Sequence, residues 1–387
     1  MLITSDKVWI DETFIPATLE VEQGRIKSII LGKAAGALDY GNLSIIPGLI
    51  DIHTHGYQGS GAADANPEFL RKWAAYYPRE GVTTFLPGIN VTTEEMIKKS
   101  LEVVADVMEE KNCGAEIYGS FLQAPFMDHN YCGTYNKFLL QAPTVEHVKE
   151  YIECSRNTIR TISLAPENDK DHEVLKYCIA QGIQVCLGFS NCSYEEAMQA
   201  ITEGARNVIH CFNCMGPLLS REPHLPMAGL LNDEVFCEVM ADGVHVHPSV
   251  MSLVGRMKGK DKLITVTDST SLKGLKAGIY SAEGGATRIC EDGVARLMNG
   301  KIAGSLKPMI ENIKNMQQLG GLPLVTAINA ATINPAKLLR IDDQKGLIRE
   351  GYIADLTIYD ETYQVIQTYV HGKPVGYSLR RQYASAF

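Results

Sequence analysis

Eight short apolar runs recur along the middle of the chain: LSIIPGLIDI, GVTTFLPG, EIYGSFL, TISLAP, IQVCLGFS, NVIHCF, VFCEVMADG and KLITVTD. Each has an apolar stretch too short for a helix, and longer segments with apolar residues at helical spacing lie between them. ANPEFLRKWAAYYPRE and TTEEMIKKSLEVVADVMEEK are two of these segments, and both begin with residues that cap helices. Strand and helix alternating eight times predict an α/β chain folded as a (β/α)8 TIM barrel. In such a barrel the C-terminal strand ends meet at one mouth. Here they carry His53 and His55, Asn90, Gln123, Glu167, Ser190, His210, Asp242 with His245, and Asp268.

The two ends of the chain read differently. KVWI, TLEVEQ and RIKSIIL near the start, and GLIREGYIADLTIYD, TYQVIQTYVHG and KPVGYSL near the finish, are β-like runs joined by turns. Residues 1–45 and 345–387 are therefore expected to form one small β domain, a β-sandwich, beside a barrel of residues 46–344. A chain of 387 residues with 45% hydrophobic content can bury one large core and a smaller one. The net charge of -9 comes without a basic run, which argues against nucleic acid or an anionic membrane as partner. No stretch approaches the roughly 18 apolar residues of a membrane span, and the start has no signal-peptide pattern. A cytoplasmic enzyme acting on a small molecule fits. Ten scattered cysteines read as buried thiols without a structural disulfide, and Cys211-x-x-Cys214 as packing rather than a zinc or redox pair.

A strand ending IDIHTHG, a last strand ending TDST and the phrase GLIREGYIADLTIYD together resemble the amidohydrolase superfamily of metal-dependent barrel hydrolases. LAPE, HCFNCM, SREP, ADGVHV, VTDST and INPAKLL are similar, in register, to the N-acetylglucosamine-6-phosphate deacetylase family within it. The resemblance implies removal of an N-acetyl group from an amino-sugar phosphate by a homodimer. Carried over residue by residue, the family's His-x-His is His53 and His55, its later ligand histidine is His210 and its catalytic aspartate is Asp268. Its metal-binding glutamate is replaced by Gln123, another ligand histidine by Phe189, and the carbonyl-polarising histidine after Gly-Thr by Tyr135. The phosphate arginine, which reaches across the dimer interface, matches Arg221. His245 and Asn213 match substrate residues, and the altered loop Ala303–Met309 brings Lys307 toward the mouth.

Amide hydrolysis near neutral pH needs an acidified water, a sink for oxyanion charge and an acid for the leaving amine, the first two of which a divalent ion supplies. With Gln123 and Phe189 in place of two ligands, the expected metal is a single one at His53, His55 and Asp268, three ligands of the kind a catalytic zinc uses. Two other readings stay open. In one, the sugar phosphate is bound and Asp268, His210 and Tyr135 carry out metal-free acid/base chemistry. In the other, the protein is a non-catalytic sugar-phosphate sensor. Arg221, His245, Asn213, Gln123 and Lys307 are the expected substrate contacts, and Lys273 and Lys276 read as a solvated loop face.

Overall fold

In a computed structural model of the chain, which describes residues 1–110, 114–282, 285–289 and 294–375, the eight runs are the parallel strands of a barrel. In order they are Leu49–Thr54, Val82–Ile89, a third split into Glu116–Ile117 and Ser120–Leu122, then Ile159–Leu164, Gln184–Leu187, Asn207–Val208, Phe236–Val239 and Leu263–Thr265. Each pairs in parallel with the next. Helices form where spacing and caps coincide. Asn66 accepts from Phe69 N at 3.2 Å to start Pro67–Tyr76, and Thr93 accepts from Met96 N at 3.4 Å to start Glu94–Glu109. Glu94–Glu109 then lays Ile97, Leu101 and Val104 on the barrel, each contributing about 1.5–3 kcal/mol of apolar burial.

The barrel closes beyond the last strand. Asp268 N donates to His53 O at 2.9 Å and His55 N to Ser269 O at 2.8 Å, so the seam between first and last strands aligns the His-x-His with Asp268.

Both chain ends contribute strands to a single eight-stranded mixed sheet. Ser44–Pro47 joins it antiparallel to Leu356–Tyr359, with Ile45 opposite Ile358. The chain then passes through Gly48 into the first barrel strand; a Cβ at Gly48 would stand 2.2 Å from Thr83 Oγ1. GLIREGYIADLTIYD is a strand only over Leu356–Tyr359. The residues before it turn through Gly346 and Gly351, at φ 89 and 87. Asp355 anchors that turn, accepting from Lys345 Nζ at 2.6 Å and from His371 N at 2.7 Å. Of KPVGYSL, Lys373–Val375 is a strand and the remainder lies outside the described residues.

The segment after Asp268 holds four antiparallel strands, Gly278–Ala282, Gly285–Ile289, Val294–Leu297 and Ile302–Ser305, which stand over the mouth. Sequence reasoning missed them. The signal was Asn299-Gly300, a hairpin turn dipeptide, closed by Leu297 N donating to Lys301 O at 2.8 Å. The eight described cysteines are unpaired; Cys113 and Cys290 lie outside the described residues. No described helix is long and apolar enough to cross a membrane.

Candidate active site

Two residues apart at the end of the first barrel strand, His53 and His55 both turn a ring nitrogen to Asp268. His53 Nδ1 lies 2.8 Å from Glu238 Oε2, and His55 Nδ1 lies 3.0 Å from Gly88 O. These acceptors place the ring protons on Nδ1 and leave both Nε2 lone pairs facing Asp268 Oδ1, at 3.4 and 3.2 Å. Two lone pairs and a carboxylate oxygen thus converge, and His55 Nε2 is buried without a hydrogen-bond partner. Such a set can hold a cation, in place of the Gln123 amide that meets His53 Nε2 at 2.9 Å. A tetrahedral ion with bonds of about 2.0–2.1 Å requires ligand separations of about 3.3 Å, and the two gaps to Asp268 match it. Among the described residues, His53, His55 and Asp268 alone form a cluster of possible metal ligands. Without an ion, burial pushes the Asp268 carboxyl up, but His53 and His55, where protonated, more than offset this and hold it well below the usual carboxylate range.

Gly88 is required by the His55 ring. A Cβ there would lie 2.5 Å from His55 Nδ1 and Cε1. Gly88→Ala is expected to displace the ring and destabilise the protein by about 1–3 kcal/mol, read from denaturant midpoints.

The opposite wall is neutral. Gln123 Nε2 donates to His53 Nε2 at 2.9 Å, and the Tyr135 hydroxyl shares its one proton between Asn90 Oδ1 at 2.8 Å and Gln123 Oε1 at 3.0 Å. Phe189 meets His210 edge-on, with ring centroids 4.6 Å apart. His210 is buried, and neither of its ring nitrogens has a hydrogen-bond partner. Burial and the nearby His53 lower its pKa to about 4, so it is neutral at physiological pH. Phe189, His210 and Asp268 all take left-handed backbone, at φ 48, 31 and 45. Such conformations cost of the order of 1–3 kcal/mol each and cluster at functional sites.

A cavity of about 280 Å³ opens above these groups, lined by His55, Asp268, His210, Tyr135, Gln123, Asn213 and His245. Those seven sequence-predicted residues are brought together, and His53 lies directly behind Gln123. Asp242 orients His245, accepting from its Nδ1 at 2.6 Å. Two other predicted residues stand apart. Arg221 is exposed and does not line the cavity of its own chain. Lys307 does not line it either, because its Nζ binds Glu311 Oε1 at 2.8 Å one helical turn away. The lysine at the mouth is Lys301, on the hairpin, donating to Gly133 O at 3.0 Å. Glu167 points into neighbouring loop structure, where it accepts from Ser190 Oγ at 2.7 Å. Lys273 is no solvated loop residue: it is 2% exposed and paired with Glu80. Cys211 packs against Cys237, while Cys214 faces the cavity.

Sequence reasoning missed Glu238, Gly88 and Lys301. For Glu238 a signal existed, since an acid in the middle of the apolar run VFCEVM needs a buried partner. It has three, accepting from His53, from Asn207 Nδ2 at 2.6 Å and from His210 N at 3.3 Å.

Residues 44–375 match the amidohydrolase family. The chain is 30% identical over 369 residues to the N-acetylglucosamine-6-phosphate deacetylase of Vibrio furnissii, covering 95% of this chain and 90% of that protein. It is also 30% identical, over 85% of its length and 87% of the relative, to the N-acetylgalactosamine-6-phosphate deacetylase of Escherichia coli O157:H7. Among solved structures, an aspartate-to-alanine mutant of the Mycobacterium smegmatis N-acetyl-D-glucosamine-6-phosphate deacetylase, in complex with N-acetyl-D-glucosamine-6-phosphate, superposes with a TM-score of 0.91 at 26% identity, covering 97% of this chain and 99% of that one. A seam that sets a His-x-His against an aspartate at a barrel mouth, in a chain similar to these hydrolases over nearly its full length, carries the conclusion that this chain belongs to the amidohydrolase family.

Proposed function

We propose that the protein removes the N-acetyl group from an amino-sugar 6-phosphate, using one divalent metal held by His53, His55 and Asp268. The observation that carries this reading is the convergence of those three acceptor groups, two of which, His55 and Asp268, line the cavity, in a chain 30% identical to deacetylases of both the glucosamine and the galactosamine compounds. When bound, the metal supplies Lewis acidity and a water acidified to a pKa of about 7. Asp268 takes the proton of the attacking water and passes it to the departing amine. Glu238 fixes the His53 tautomer, so that Nε2 faces the site. Tyr135 steadies Gln123, while Asn213 and His245 meet the sugar phosphate and Lys301 adds positive charge at the rim.

Arg221 fits a homodimer in which it enters the partner's site. Its loop is exposed beside Leu219 and Leu231, which are 50% and 53% exposed; a dimeric sedimentation profile is the expected result. One observation favours the metal-free reading instead: the Gln123 amide occupies the His53 lone pair.

The test is acetate release from N-acetylglucosamine 6-phosphate and its galacto epimer, with elemental analysis of the same protein. About one metal per chain is expected, with turnover lost on chelation and restored by adding the ion back. Turnover by metal-free protein would transfer the assignment to acid/base chemistry. Glu238→Gln is expected to weaken metal binding by about 10–100-fold, measured by competition with a chromophoric chelator.

A further inference from the structure

We propose that His210 acts on the reacting amide itself, donating an N–H to the carbonyl oxygen as negative charge develops there, and is not a ligand of the metal. This inference rests on the hydrolase reading above and assigns a role within that site.

Four observations converge. His210 lines the cavity and is 2% exposed, yet both its ring nitrogens lack a protein partner. A neutral imidazole carries one N–H donor and one acceptor, and leaving both unmatched in a buried setting is unfavourable unless a ligand completes them. The ring is also held rigidly. Phe189 packs on it at 90°, His53 packs at 5.4 Å between centroids, and the His210 backbone N–H is tied to Glu238 at 3.3 Å.

His210 stands outside the ligand cluster. The ligand atoms of His53, His55 and Asp268 lie within 4.8 Å of one another, and His210 belongs to no such group. The neighbouring polar groups are already engaged: the Tyr135 hydroxyl with Asn90 and Gln123, and the Gln123 amide with His53. His210 therefore keeps an unengaged N–H in the wall of the cavity that Asp268 also lines.

In the reaction, the water oxygen adds to the carbonyl carbon and the π pair moves onto the carbonyl oxygen. His210 stabilises that oxygen by hydrogen bonding, without giving up its proton. Asp268 carries one water proton to the amide nitrogen, the oxygen pair re-forms the carbonyl as the C–N bonding pair leaves on nitrogen, and the free amine and acetic acid, which ionises to acetate in water, are released. A rigidly held donor that meets the oxygen as its charge develops favours the transition state over the ground state.

The experiment compares His210→Phe, which keeps an aromatic ring against Phe189 but no donor, with His210→Gln, which keeps an N–H. N-acetylglucosamine 6-phosphate is the substrate, and metal content and thermal unfolding are measured on each protein. His210→Phe is expected to lower kcat by about 10²–10³-fold with KM within a few-fold of wild type and metal content unchanged. It should weaken a methylphosphonamidate mimic of the tetrahedral species by a similar factor, and His210→Gln should recover part of both losses. If the Phe variant does not fold, His210→Ala serves as the donor-free protein. Metal content falling in step with activity would show a ligand and overturn the proposal, as would wild-type kcat and mimic affinity. Absence of turnover in the wild-type, metal-loaded enzyme overturns the hydrolase reading itself, which separates the two failures.

Discussion

Asp268→Asn is expected to lower kcat for acetate release by on the order of 10³-fold, because proton transfer by a positioned side chain contributes about 10²–10⁴-fold. The substitution changes little else in shape. Asn tolerates the left-handed backbone at this position, φ 45, better than most residues. The seam bonds made by the Asp268 N–H and C=O do not involve its side chain. What disappears is the anion facing His53 Nε2 and His55 Nε2 at 3.4 and 3.2 Å. An amide in its place can neither accept the water proton nor balance the charge of an ion. Metal content measured alongside kcat separates these two losses: retained metal with lost turnover isolates the proton-carrying role. Activity within tenfold of wild type would remove Asp268 from the mechanism.

Lys345→Met is expected to destabilise the protein by about 3–5 kcal/mol, the usual result of removing one partner from a buried ion pair. Lys345 is 4% exposed and donates to Asp355 Oδ2 at 2.6 Å, pairs with Glu116 Oε2 at 2.7 Å and reaches Thr84 Oγ1 at 3.0 Å. Asp355 precedes a strand of the terminal sheet, whereas Glu116 and Thr84 lie on barrel strands, so one ammonium joins the two layers. Without it, the buried Asp355 carboxylate loses its cation beside Glu116, which is half-buried and keeps His371 as a partner. Chemical denaturation followed by tryptophan fluorescence reads the loss; a shift under 1 kcal/mol would mean that water enters and solvates the pair. The same cluster sets an acid limit. Burial pushes the Glu116 carboxyl up, but His371 and Lys345 outweigh it and bring it down to about 2 from an ordinary 4.5. Its contribution is therefore complete above about pH 4.5 and is lost as pH falls toward 2.

Much of the scaffold is legible without coordinates. Apolar runs of strand length alternating with helical spacing report which face of each segment is buried, and that is a local property of the chain. The His-x-His of IDIHTHG and the aspartate of VTDST were identifiable for the same reason, as polar groups at the ends of apolar strands. The hairpin sheet over the mouth was also encoded, by Asn299-Gly300, but its residues alternate too weakly to stand out.

The partners of those groups were decided only by the folded barrel. Glu238 meets His53 across 185 residues of chain, and Gly88 yields space to the His55 ring, because neighbouring strands were set side by side. Lys301 rather than Lys307 reaches the rim, since a hairpin carries the first over the cavity while a helical turn gives the second to Glu311. The two imidazoles and the carboxylate were visible in the sequence as separate residues. That their acceptor atoms converge follows from barrel closure, where backbone hydrogen bonds join the first strand to the segment after the last and fix separations that local periodicity does not encode.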